Sequence, residues 1–85
     1  MQSDKQTFKV SRHTHPNKLA AAIINAVRSG GVDCFAVGGK AADNLLYALC
    51  IVGNVLKDGY FCRFYFSDAE KSDKLKVKVE VEEVG

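Results

Sequence analysis

Eighty-five residues suffice for one small domain with a single core. Apolar residues make up 47% and charged residues 26%, the mixture of a globular chain, and with one proline and seven glycines this excludes disordered and collagen-like classes. A formal charge of +2 is only mildly basic and identifies no partner by itself.

The first six residues are polar and without period, and read as a flexible tail ahead of one domain spanning 7–85. Thr7-Phe8-Lys9-Val10-Ser11 alternates, which predicts a short half-buried strand. Arg12-His13-Thr14-His15 follows as a loop. Pro16 suits the first position of a helix, where its missing N–H costs nothing. That helix runs to Arg28, with Leu19, Ile23, Ala26 and Val27 as its core stripe, and Ser29-Gly30-Gly31 ends it. Val32 to Val37 is nearly continuous in apolar character, the mark of a covered central strand.

Gly38-Gly39-Lys40 reads as a tight turn, with a second helix from Ala41 to Leu56. Leu45, Leu49, Val52 and Leu56 form one stripe of it, and Ala42, Leu46 and Cys50 an adjacent one. This face is wide enough to serve both a sheet and a second subunit. Lys57-Asp58-Gly59 is a turn signal. Tyr60 to Phe66 is an aromatic strand with Tyr60, Cys62, Phe64 and Phe66 on one face and Phe61, Arg63 and Tyr65 on the other. After a polar loop, Lys74 to Glu83 alternates as an antiparallel strand with one wet face. The order β-α-β-α-β-β, with right-handed crossovers, predicts an α+β two-layer sandwich. Its four-stranded mixed sheet would carry both helices on one face.

No apolar run reaches the ~18–20 residues of a membrane span. The opening MQSDKQT lacks the basic-then-apolar order of a signal peptide, so a cytoplasmic location without membrane contact is expected. Cys34, Cys50 and Cys62 are an odd set without a close pair, and read as free thiols packed in the core. Neither CxxC nor HxxxH occurs, so no metal or other cofactor is expected. Nothing assembles a nucleophile, a base and an orienting group, which predicts a non-enzymatic protein. Gly38-Gly39-Lys40 fails as a Walker A loop, because Cys34 stands at the first glycine and Ala41 at the Ser/Thr position.

A phosphate-gripping edge is the stronger reading. Both candidate loops follow the carboxyl ends of parallel strands and lead into helix starts, which favour anions. Arg12, Lys18 and Lys40, with the backbone at Gly39, then share one edge of the sheet. The open sheet face is a further candidate, with Lys9, Arg63, Lys76 and Lys78 beside Phe61 and Tyr65. Self-association is expected through Leu46, Cys50 and Gly53 or through the open-sheet aromatics Phe61 and Tyr65.

The stretches Phe8–Ser11, Pro16-Asn17, Ala36–Lys40 and Ala41–Leu56, in this order and spacing, resemble the stage V sporulation protein S family. That family is in turn similar to the Alba chromatin proteins and to the C-terminal domain of a bacterial translation initiation factor. The resemblance implies an Alba-like fold and a homodimer that binds DNA or RNA weakly, mostly through phosphates, in a developmental or gene-regulatory role. It also implies His13 in the first contact region, beside Arg12 and Lys18. Lys40 falls in the second region, and Lys71 and Lys74 in or beside the hairpin loop. The alternative is an interaction module that binds a regulatory protein and ignores nucleic acid.

Overall fold

The computed structural model describes residues 5–67 and 76–84. The chain forms β1 (Gln6–Val10), α1 (Pro16–Arg28), β2 (Val32–Val37), α2 (Gly39–Leu56), β3 (Tyr60–Ser67) and β4 (Lys76–Glu83). The strands lie in the order β1-β2-β4-β3. β1 is parallel to β2, and β4 is antiparallel to both β2 and β3. The last strand is therefore inserted between two earlier ones. This is the α+β two-layer fold with a mixed four-stranded sheet that the residue pattern predicts.

Alternation decides which side of the sheet the helices cover. Val32, Cys34 and Ala36 of β2 and Val77, Val79 and Val81 of β4 are buried. Their neighbours Asp33, Phe35 and Val37, and Lys76, Lys78, Glu80 and Glu82, line the other face. α1 contributes Leu19, Ala20, Ile23, Ala26 and Val27 to the core, and α2 contributes Ala41, Leu45, Ala48, Leu49 and Val52. Alanines on both buried faces allow the two helices to pack closely against each other. Ile23 and Leu45 are fully buried, each worth about 1.5–3 kcal/mol of transfer free energy.

The structure corrects the sequence reading in three places. α2 begins at Gly39 rather than Ala41, because Gly38 alone turns the chain. Gly38 adopts φ 101° and ψ 154°, a region open in practice to glycine alone. The Ala42 N–H donates to the Gly38 carbonyl at 3.0 Å and closes the first helical turn. Second, β1 begins at Gln6, which pairs with Val32, rather than at Thr7, and it ends at Val10, so Ser11 belongs to the loop. Third, of the three cysteines only Cys34 is buried; Cys62 is half-buried and Cys50 is exposed. Burial pushes the Cys34 thiol up to about 12, so it stays protonated and inert.

β3 lies at the sheet's edge and extends past the helices. Phe64 and Phe66 stack at 6.3 Å between ring centroids on the helix side, and both are exposed. The Val84 N–H donates to the Gly59 carbonyl at 3.0 Å. Because hydrogen-bonded pairs alternate along an antiparallel ladder, Phe61, Arg63 and Tyr65 direct their backbone groups to β4. Those of Tyr60, Cys62, Phe64 and Phe66 point to the free edge. Between α2 and β3, Lys57 sits at φ 54° and ψ −115°, and the Gly59 N–H donates to the Leu56 carbonyl at 3.0 Å. That is the first central position of a type II′ turn, where glycine is usual.

Candidate nucleic-acid interface

The two βα turns leave the same end of the sheet. The first, between β1 and α1, is built by side chains. The Ser11 N–H donates to Thr14 Oγ1 at 2.8 Å, and the His13 N–H donates to Ser11 Oγ at 3.1 Å. The Thr14 N–H donates to the Ser11 carbonyl at 3.1 Å. α1 has no side-chain cap; Pro16 opens it, and the Leu19 N–H closes its first turn on the His15 carbonyl at 2.9 Å. Arg12 is exposed and donates through Nε to Nε2 of His13 at 3.3 Å.

The second turn is built by Gly38. It sets Gly39 and Lys40 in the first turn of α2, both exposed. A cleft of about 450 Å³ lies between the turns, lined by Ser11 and Arg12 from the first and by Gly38, Gly39 and Lys40 from the second. Val10 and Val37, the last residues of the parallel strands, also line it. One guanidinium, of Arg12, and one ammonium, of Lys40, thus share a cleft with a helix start whose first N–H groups lack helical acceptors, a setting that attracts anions.

Asn44 makes this arrangement one unit. It is buried on α2, and its Nδ2 donates to the carbonyls of Ser11 and Arg12, at 3.2 Å each. The second helix therefore holds the first turn in place. Sequence reasoning missed this residue. The available signal was a polar side chain at a core position, three residues after Ala41 and four before Ala48.

The residues expected at this interface divide into three sets. Arg12, Gly39 and Lys40 share the cleft, and His13 joins them through Arg12. Lys18 is exposed on the first turn of α1, outside the cleft lining. Lys71 and Lys74 lie outside the described residues.

The residues expected at a subunit contact divide as well. Leu46, Cys50 and Phe61 line one apolar groove of about 480 Å³ with Leu49, Tyr60 and Phe64. Gly53 adjoins it, and a Cβ there would meet the Tyr60 hydroxyl at 3.0 Å. Tyr65 is elsewhere, on the open face of the sheet, beside Lys78. That face has its own polar contacts. Lys5 bridges Asp33 at 3.4 Å and Glu82 at 3.0 Å, and Lys78 pairs with Glu80 at 3.2 Å. The Lys78 ammonium holds the Glu80 carboxyl below the usual carboxylate range.

Fold and cleft together define a small two-layer α+β domain that presents cations and a helix start at the ends of its parallel strands. A family model described as stage V sporulation protein S matches residues 6–82, and the chain belongs to that family. It is thereby a small sporulation-related protein. No individually curated relative matches it. Among the described residues no helix is long and apolar enough to cross a membrane.

Proposed function

We propose that this chain is a non-enzymatic, cytoplasmic nucleic-acid-binding protein that acts as a homodimer in developmental or gene regulation. Arg12, Lys18 and Lys40 pair with phosphates, while the N–H groups at Gly39 and Lys40 donate to phosphate oxygens. His13 steadies Arg12. Contacts of this kind fix position on the backbone and read no sequence. The observation that carries the reading is the cleft shared by Arg12, Gly39 and Lys40 at a helix start. The dimer uses the groove of Leu46, Cys50 and Phe61, which lies along the free edge of β3.

The test is fluorescence anisotropy with labelled duplex DNA, single-stranded DNA and RNA across a salt series. Binding should weaken linearly on log–log axes. The Arg12→Ala/Lys18→Ala/Lys40→Ala variant should lose roughly 10- to 100-fold in affinity, and its salt slope should fall by about 0.9 for each phosphate contact removed. Affinity that persists at high salt, or an unaffected variant, refutes the reading.

A second reading is favoured by the exposed edge of β3 and its groove. Here the chain associates with a regulatory protein through that edge and ignores nucleic acid. Leu46→Glu separates the two by sedimentation and anisotropy. The first reading expects a weakened dimer with reduced nucleic-acid binding. The second expects lost association in a chain that never bound nucleic acid.

A further inference from the structure

Strand register places four residues in a straight row across the open face. Lys9 pairs with Phe35, Phe35 with Lys78, and Lys78 with Tyr65, so cation and ring alternate over all four strands. The Lys78 ammonium sits between the two rings, 5.7 Å from the Phe35 centroid and 5.1 Å from that of Tyr65. The rings are 38% and 42% exposed, Phe35 on a central strand and Tyr65 on the edge strand. The next row toward the turns holds Val37 and Lys76. The row on the other side holds Thr7, Asp33, Glu80 and Arg63.

Charge is therefore sorted along the strands. The half nearest the turns carries Lys9, Lys76 and Lys78 and, among the described residues, no carboxylate. Asp33, Glu80 and Glu82 lie in the far half, where Lys5, Arg63 and Lys78 reach them at 3.0–3.9 Å. A shallow groove of about 280 Å³ runs between Phe35, Val37, Tyr65, Lys76 and Lys78. Val37 also lines the cleft between the βα turns, so the two depressions adjoin at this residue.

We infer that this basic half of the open face takes a single-stranded nucleic acid, its unpaired bases stacking on Phe35 and Tyr65 and its phosphates meeting Lys9, Lys76 and Lys78. The inference rests on the proposed phosphate cleft and extends it, because a strand leaving that cleft passes Val37 onto the rings. Flat ring faces fit splayed bases, whereas the bases of a duplex are already stacked on one another. Lys9 and Lys76, which meet no carboxylate among the described residues, ask for an anionic ligand, which an apolar protein surface would not supply. Lys78 shifts from ring and carboxylate to phosphate at small cost, since its pair with Glu80 is partly exposed.

The experiment compares a labelled oligothymidylate with a labelled duplex hairpin at one low salt concentration. Phe35→Leu/Tyr65→Leu keeps apolar bulk and removes both ring faces. It should lose at least about tenfold in affinity for the single strand and less than about twofold for the duplex. Tyr65→Phe keeps the ring, loses the hydrogen bond to Glu80, and should bind as the parent does. Circular dichroism and sedimentation confirm fold and mass for each variant. An unchanged single-strand affinity in the double variant overturns the inference, as does an equal loss on both probes or a loss that tracks dissociation of the dimer. If the parent binds the duplex, and loses it in the Arg12/Lys18/Lys40 variant, such a result removes this inference alone. If the parent binds neither probe, the phosphate cleft falls with it.

Discussion

The two βα turns present a cation at the same end of the sheet, but they are held by opposite means. Ser11–His15 is fixed by the Ser11 and Thr14 hydroxyls and by the amide of Asn44 from the other helix. The second turn depends on the backbone of one glycine, with open space around it. The difference shows where each turn is vulnerable. The first fails when a distant side chain is lost, and the second fails when a Cβ is gained.

Asn44→Leu should have the larger effect on folding. It leaves the Ser11 and Arg12 carbonyls without their donor, and a cost of about 1–3 kcal/mol is expected in urea denaturation. Nucleic-acid affinity should fall as well, because Arg12 loses its anchor while its charge remains. A parent-like midpoint and affinity would show that the first turn holds itself. Gly38→Ala comes next. No atom lies within 4 Å of the added methyl, so its cost of about 1–2 kcal/mol is backbone strain alone. The smallest effect belongs to Gly39→Ala, one residue on, where the space is equally open and the backbone is helical. Its stability should stay within about 0.5 kcal/mol of the parent or rise slightly, since alanine is the better helix former. Equal losses at Gly38 and Gly39 would contradict a turn made by one residue.

The residue pattern made the layers legible, because a period of two and a period near four are visible without any long-range information. Val77, Val79 and Val81 alternate, and Leu19, Ile23, Ala26 and Val27 share a stripe; all are buried. The pair Arg12 and Lys40 was legible too, since each follows a parallel strand, Arg12 in the loop before α1 and Lys40 in the first turn of α2. What escaped depended on geometry between distant parts of the chain. Asn44 reads as an interruption in a helix until the loop it holds is beside it. The row from Lys9 to Tyr65 needs the register of β4 on both neighbours, and no local pattern shows that β4 enters between β2 and β3. The start of α2 was misplaced because two glycines resemble a two-residue turn, whereas one glycine with positive φ suffices.

That inserted strand has a consequence for how the protein is made. β2 and β3 leave the ribosome before β4 does, yet neither pairs with the other; β2 can pair only with β1, and β3 finds its partner in β4. Until β4 emerges, the aromatic strand has no ladder on either side and the sheet cannot close. Folding of the sheet is then set by contacts distant in sequence, the kind that form slowly. During that interval Tyr60 to Phe66 is the segment most exposed to wrong pairing.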